Sequence, residues 1–262
     1  MISWAPLLAA LATRTRVIAY DRAGLGSSDP DLGPGPPTVD RQVGDLAAVI
    51  RQTGAAPCVV VGHSWGGLLT ELLAAHHPDL VCGLVLVDPA HHDMLASLPR
   101  PVRWLDQKAA VRLPRVLHAL GLLQPVVLWN ARRTASRFSR DPRVRSLVVD
   151  AYRIHARRPQ VRASQDEFRG ILVSAPMLRA AASLPDVPLV VLSATRGAPR
   201  RMRRHWTTLQ AGIAAAAPNG RGRHLVVADS DHSIHHDRPD LVAAAVLEVV
   251  EDARRTRAQN IP

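Results

Sequence analysis

Four short runs of the chain are apolar with almost no interruption: Cys58–Val61, Leu84–Val87, Pro188–Leu192 and His224–Val227. All four predict strands, and the wholly apolar Cys58–Val61 and Leu84–Val87 predict parallel strands buried on both faces, because a strand with one wet face would alternate. A shorter run, Val17–Ala19, predicts a further strand ending at Tyr20-Asp21, followed by a Gly/Ser/Pro-rich loop from Arg22 to Pro37. Helical spacing follows in three places. Thr38 is placed to cap a helix through Gln52 that stops at Gly54. Leu68–His77 is an apolar helix stopped by Pro78. A last helix has Pro239 and Asp240 in its first turn and runs to about Arg255.

Strand, helix, strand over residues 58–87 is a βαβ unit. The alternation then breaks. From His91 to about Leu184 the pattern is one of short amphipathic helices split by prolines, before strands resume. The predicted class is therefore α/β: a mostly parallel sheet flanked by helices, in two parts (1–90 and 185–262), with a helical insertion at 91–184 that caps the site. No internal repeat is present, and the Ala-rich stretch Ala211–Ala217 is long enough for one helix face only.

Composition sharpens this picture. The 262 residues are 47% hydrophobic and 21% charged, which fits a globular chain with one sizeable core and excludes a disordered one. No apolar run is long enough to span a bilayer, and no basic stretch leads into an apolar one after Met1. Cys58 and Cys82 lie in apolar runs and are expected to be reduced core residues. A cytoplasmic location is the expectation.

The formal charge of +11 is concentrated. Residues 91–184 hold seventeen basic residues against six acids, while the rest of the chain carries sixteen of each. Such an excess is expected to form a solvated helical face, or to attract anionic substrates, headgroups or a partner. With 3% aromatic residues and no recognition motif, nucleic acid is not an expected partner.

The chemistry centres on Gly62-His63-Ser64-Trp65-Gly66, a G-x-S-x-G pattern that directly follows an apolar strand and opens an apolar helix. A serine on such a turn stands proud of the sheet in a strained conformation. The N–H of Trp65, at the helix start, is then available to an oxyanion. A hydroxyl needs a base. Asp229-Ser230-Asp231-His232-Ser233 follows the last strand, at the sheet end where open α/β sheets hold their ligands. His232 is the expected base, while His235 and His236 fall nearer the last helix and are expected at the surface.

The orienting acid must come from a strand end. Ser193-Ala194-Thr195-Arg196-Gly197 has no carboxylate, whereas Asp88 ends its strand directly. Asp88 is the expected acid. Asp229 and Asp231 remain competitors, close to His232 in sequence but poorly placed to reach its Nδ1. His63 and His91 are expected to contact substrate. His91-His92-Asp93 and the His232–Asp237 cluster lack any known metal spacing, so neither a metal nor a cofactor is expected.

These residues resemble the α/β-hydrolase superfamily, in particular its capped esterase- and haloperoxidase-like members, over nearly the whole chain. The resemblance rests on Arg16–Ser28, similar to the D-R-x-G-x-G-x-S loop; on the elbow at Gly62–Gly66; on Leu84–Pro89; and on Asp231–Ile234 with Asp237-Arg238-Pro239. It implies an α/β-hydrolase fold and a serine hydrolase cleaving a carboxylic ester or similar small acyl substrate. It also implies the order Ser64, Asp88, His232, with the acid drawn from the strand before the cap. Lactone, carbon–carbon and perhydrolase chemistries stay open, and so does a non-catalytic binding module. Epoxide and haloalkane hydrolases carry an aspartate where Ser64 stands, so those activities are not expected.

One part of the resemblance is missing. In the family a strand ending in His-Gly lies upstream of the segment similar to Trp4–Leu8, supplies the second oxyanion N–H, and separates the strands similar to Val17–Ala19 and Cys58–Val61. Its absence from this sequence leads to two alternatives, a start lying further upstream or a truncated copy. It also leads to the expectation of unpaired strand edges and weakened folding or activity.

Overall fold

A computed structural model describes residues 2–97, 116–117, 119–138, 142–174 and 183–259. The chain divides into two compact units.

The first unit comprises residues 1–39 and 95–176 and is mostly helical where described, with an irregular stretch over 13–38. After a 3-10 turn at Ile2–Trp4 come α1 (Ala5–Ala12), α5 (Leu123–Phe138), α6 (Pro142–His155) and α7 (Arg158–Ser174). The glycine-rich loop after Asp21 is fastened to α7. Arg22 makes a two-pronged ion pair with Glu167 at 2.6 and 2.8 Å, and Gln160 bonds both the N–H and the C=O of Gly26. The arginine excess faces outward: Arg132, Arg133, Arg143, Arg153, Arg157 and Arg162 are exposed. An open groove of about 420 Å³ between α5 and α6 is lined in part by Arg132, Arg145 and Arg153.

The second unit, residues 40–94 and 177–262, holds the sheet. Its strands are β1 (Cys58–His63), β2 (Val81–Val87), β3 (Leu189–Ala194) and β4 (Gly222–Val227), all parallel and in the spatial order β1-β2-β3-β4. β3 is buried at every position and β2 at all but Cys82, as their unbroken apolar runs require. Parallel neighbours need crossovers, and helices supply them. Here α3 (Trp65–His76) and α10 (Pro239–Gln259) pack against β1 and β2, and α8 (Arg200–Ala215) packs against β3 and β4. The unit also contains α2 (Val39–Gln52), whose end is marked by Gly54 at φ +61°, the first residues of α4 (His92–Ser97), and the one-turn α9 (Ile234–Asp237).

The sequence places Val17–Ala19 in a strand, and the structure corrects this. The segment pairs with no strand among the described residues, and Ile18 is 42% exposed. Three apolar residues do not make a strand without a neighbour to satisfy their N–H and C=O groups. The sequence also counts residues 1–39 with the sheet, whereas in the structure they cluster with the helices of 95–176.

Candidate active site

β1 ends at His63 and α3 starts at Trp65, so the whole change of direction falls on Ser64. Its backbone sits at φ 53°, ψ −121°, a left-handed conformation costly for any side-chain-bearing residue. The turn closes because two neighbours lack a Cβ. One built on Gly62 would lie 2.4 Å from the carbonyl oxygen of Gly66, and one on Gly67 would lie 2.8 Å from Cβ of Pro89. Ser64 is also tied to the end of β2 through its main chain. Its N–H donates to the carbonyl of Val87 at 3.1 Å, and its own carbonyl accepts from Ala90 N–H at 2.9 Å. Trp65 opens the first turn of α3, where N–H groups have no intrahelical acceptor. Its indole is buried and donates to Gln42 at 2.9 Å, which fixes this end of the helix.

His232 lies in the loop between β4 and α9. Its Nε2 is 2.9 Å from Ser64 Oγ and its Nδ1 is 2.7 Å from Asp88 Oδ2. Three residues separated by up to 168 positions thus form one hydrogen-bonded line. Because Asp88 accepts at Nδ1, the proton of the neutral ring belongs on Nδ1 and Nε2 is left bare toward the serine. The two competing aspartates are engaged elsewhere. Asp229 pairs with Arg196 at 2.5 Å, and Asp231 accepts the N–H of His232 itself at 2.7 Å.

Asp88 follows β2, has φ +42° and is 2% exposed. Its Oδ1 accepts from Arg203 Nη1 (2.7 Å), Gln210 Nε2 (3.1 Å) and Ala194 N–H (3.1 Å); its Oδ2 accepts from His232 and, at 3.0 Å, from Arg203 Nη1 again. Burial alone would raise the carboxyl's pKa. The hydrogen bond from His232 and the adjacent guanidinium outweigh it and hold the group below its usual range. Gln210 is itself locked: Ser193 donates to its Oε1 at 2.5 Å, His224 stands 2.8 Å from the same hydroxyl, and the Gln210 amide also donates to Pro89 O at 2.8 Å.

The sequence reading has no place for Arg203 or Gln210. Arg203 stands in the basic run Arg200–Arg204 and looks like surface charge. The usable signal was its spacing: Arg203 and Gln210 are seven apart on α8, on the buried face they share with Ile213 and Ala214.

His63 is set beside His232. Its Nε2–H donates to the carbonyl of His232 at 2.9 Å, and its ring lies 4.6 Å from the ring of His232 and 4.5 Å from that of His235. Burial, with His232 adding to it, lowers its pKa to about 4, so it stays neutral. The expectation that His235 lies at the surface is overturned. It is 2% exposed, because the one-turn α9 carries it inward against His63, and burial keeps it well below the usual histidine range. His236 is half-buried, its ring 4.0 Å from that of His235.

His91 is half-buried. Its Nδ1 accepts from Asp93 N–H at 3.1 Å and its ring stacks on His92 at 4.0 Å. Burial, reinforced by His92, lowers its pKa to about 4. Among the described residues His91, His92 and Asp93 place three potential metal-ligand atoms within 4.8 Å of one another, with His91 Nδ1 already engaged by the main chain.

Comparison with known proteins identifies the family. The model of a family described as the alpha/beta hydrolase family matches residues 2–245. The chain is 23% identical to the uncharacterised protein YqjL of Bacillus subtilis (strain 168) over 249 residues, 94% of this chain and 78% of the other. It is 53% identical to lipase LipV of Mycobacterium tuberculosis (strain H37Rv) over 55 residues, 21% of each chain. Among solved structures it is similar to the enol-lactonase from Burkholderia xenovorans LB400, with a TM-score of 0.65 at 26% identity, covering 95% of this chain and 86% of that one.

Proposed function

The chain belongs to the alpha/beta hydrolase family, and on that footing we propose that it is a serine hydrolase that cleaves a carboxylic ester or a related acyl bond through an acyl-enzyme. The observation that carries this reading is the line from Ser64 Oγ to His232 Nε2 at 2.9 Å and from His232 Nδ1 to Asp88 Oδ2 at 2.7 Å, built on a left-handed turn at a helix start.

In this mechanism Ser64 Oγ attacks the acyl carbon while its proton passes to Nε2 of His232. Asp88 holds the ring and stabilises the imidazolium. The Trp65 N–H, aided by the α3 dipole, binds the oxyanion. Collapse of the tetrahedral species returns the proton from Nε2 to the departing alcohol and leaves Ser64 acylated. Water then repeats the sequence: His232 takes its proton, the oxygen attacks the acyl carbon, and Ser64 leaves with the proton restored. No other reactant is required. The names lipase and enol-lactonase among the relatives agree with an ester-type bond.

The test is labelling by a fluorophosphonate, which reacts with activated serines, together with hydrolysis of p-nitrophenyl acetate. The wild-type chain should be labelled at Ser64. Ser64→Ala should lose labelling and on the order of 10³–10⁶ of the turnover. Turnover undiminished in Ser64→Ala would overturn the proposal.

A further inference from the structure

We infer that Arg203 is a positioning residue for this site: its buried guanidinium keeps Asp88 an acceptor toward His232, and thereby keeps Asp88 from limiting the site in the acid range. The inference rests on the Ser64–His232–Asp88 reading above.

The geometry gives Asp88 no way to carry a proton without cost to the base. Three of the four groups on its carboxylate, Arg203, Gln210 and Ala194 N–H, can only donate. The Gln210 amide cannot turn its oxygen to the carboxylate, because Ser193 holds that oxygen and Pro89 O holds the nitrogen. The fourth group is His232 Nδ1. It could accept a proton from a carboxyl O–H only by moving its own proton to Nε2, the nitrogen that faces Ser64. A protonated Asp88 therefore means a reversed imidazole and no base.

Burial pushes Asp88 toward that state, since its side chain is 1% exposed. Among the described residues three titratable or charged groups face it: Arg203 from α8, His232 from the β4–α9 loop and His63 from β1. His63 is kept neutral by its own burial. His232 must be neutral to act as base. Among these three, Arg203 alone is a cation while the base is competent.

A second observation separates Arg203 from an ordinary structural arginine. The side chain is 6% exposed, and its Nε is buried with no hydrogen-bond partner among the described residues. Its contacts run through Nη1 to Asp88, with the guanidinium 5.2 Å from the ring centre of Trp206. A residue placed for stability would be expected to satisfy that N–H. This one is placed for the carboxylate.

The test compares the wild type with Arg203→Met, Arg203→Lys and Gln210→Leu. It follows p-nitrophenyl acetate turnover and fluorophosphonate labelling from pH 4.5 to 9, with circular dichroism as a check on folding. In Arg203→Met the acid limb of activity should move up by about 1–3 pH units, the effect of an adjacent guanidinium on a carboxyl group, with activity recovering toward alkaline pH. Arg203→Lys keeps the charge and Gln210→Leu removes a neutral donor, so both should keep the wild-type limb even where their plateau rates fall. An Arg203→Met profile that superimposes on wild type after scaling would overturn the inference, and so would an Arg203→Lys limb displaced as far as that of Arg203→Met.

If Arg203→Met does not fold, the downfield proton resonance of His232 Nδ1–H in the unmodified chain serves instead. It should persist at pH values where turnover is already lost, and its disappearance before turnover falls would overturn the inference. A wild-type chain that fluorophosphonate does not label would defeat the serine-hydrolase reading itself. A labelled wild type with an unmoved Arg203→Met limb would defeat only the role of Arg203.

Discussion

In the helical unit most of the described arginines are surface residues; in the sheet unit one arginine is a core residue. Arg132, Arg133, Arg143, Arg153, Arg157 and Arg162 are exposed, and Arg153 pairs with Asp150 only three residues away on α6; Arg22, half-buried, reaches Glu167 across 145 positions. Arg203 is 5% exposed and pairs with a carboxylate 115 positions away. The contrast shows that a charge count says little about chemistry. Among the described residues of 91–184, the segment that carries the whole formal excess, no arginine is buried, while the balanced part of the chain has a buried arginine paired with Asp88 directly behind His232.

The strongest way to test this contrast is to break one pair in each unit. Arg203→Met leaves Asp88 buried without its cation and should cost about 3–5 kcal/mol in chemical denaturation. Arg153→Gln removes a pair whose partners are about half exposed and should change stability by less than about 0.5 kcal/mol. Equal effects would mean that burial does not separate the two arginine populations.

Much of the sheet unit was legible in the sequence because its signals are local. Apolar runs marked all four of its strands, and the glycines around Ser64 marked a turn no other residues could make. Asp88 was found by exclusion, since it was the carboxylate standing directly at a strand end. Val17–Ala19 was misread because strand character depends on a neighbour, which no local pattern encodes. Arg203 and Gln210 escaped because their partners are fixed by the packing of α8 on β3 and β4. His235 was misplaced because its burial depends on the rings of His63 and His236, which converge only in three dimensions.

A smaller effect isolates the turn. In Gly62→Ala the added methyl meets main-chain oxygen at 2.4 Å and Thr70 Oγ1 at 2.6 Å, so β1 and α3 must separate. A loss of about 1–3 kcal/mol is expected by thermal or urea unfolding, with a larger fractional loss of fluorophosphonate labelling. The same change at Gly121 in the helical unit meets nothing within 4 Å; its cost is confined to φ +70°, about 1 kcal/mol, with labelling unchanged.

A further expected effect is confined to one pH window. Burial raises the pKa of Glu71, on α3, to about 7, and its Oε2 has no hydrogen-bond partner among the described residues. The unfolded chain releases this proton near pH 4.3. Between those values the folded state holds the extra proton, so stability falls as pH rises through the window. Glu71→Gln should therefore match wild type near pH 4 and exceed it at pH 8, by up to about 3–4 kcal/mol. A gain of equal size at both pH values would refute the assignment.

The main-chain bonds between Ser64 and the end of β2 have a consequence for heating. Ser64 and Asp88 are carried on adjacent rungs of one ladder, Ser64 N–H on Val87 and Asp88 N–H on Leu192, and Val87, Asp88 and Leu192 are all buried. Warming cannot pull them apart while the ladder stands, and once it parts nothing holds them. The spacing of Ser64 and Asp88 has no melting point of its own.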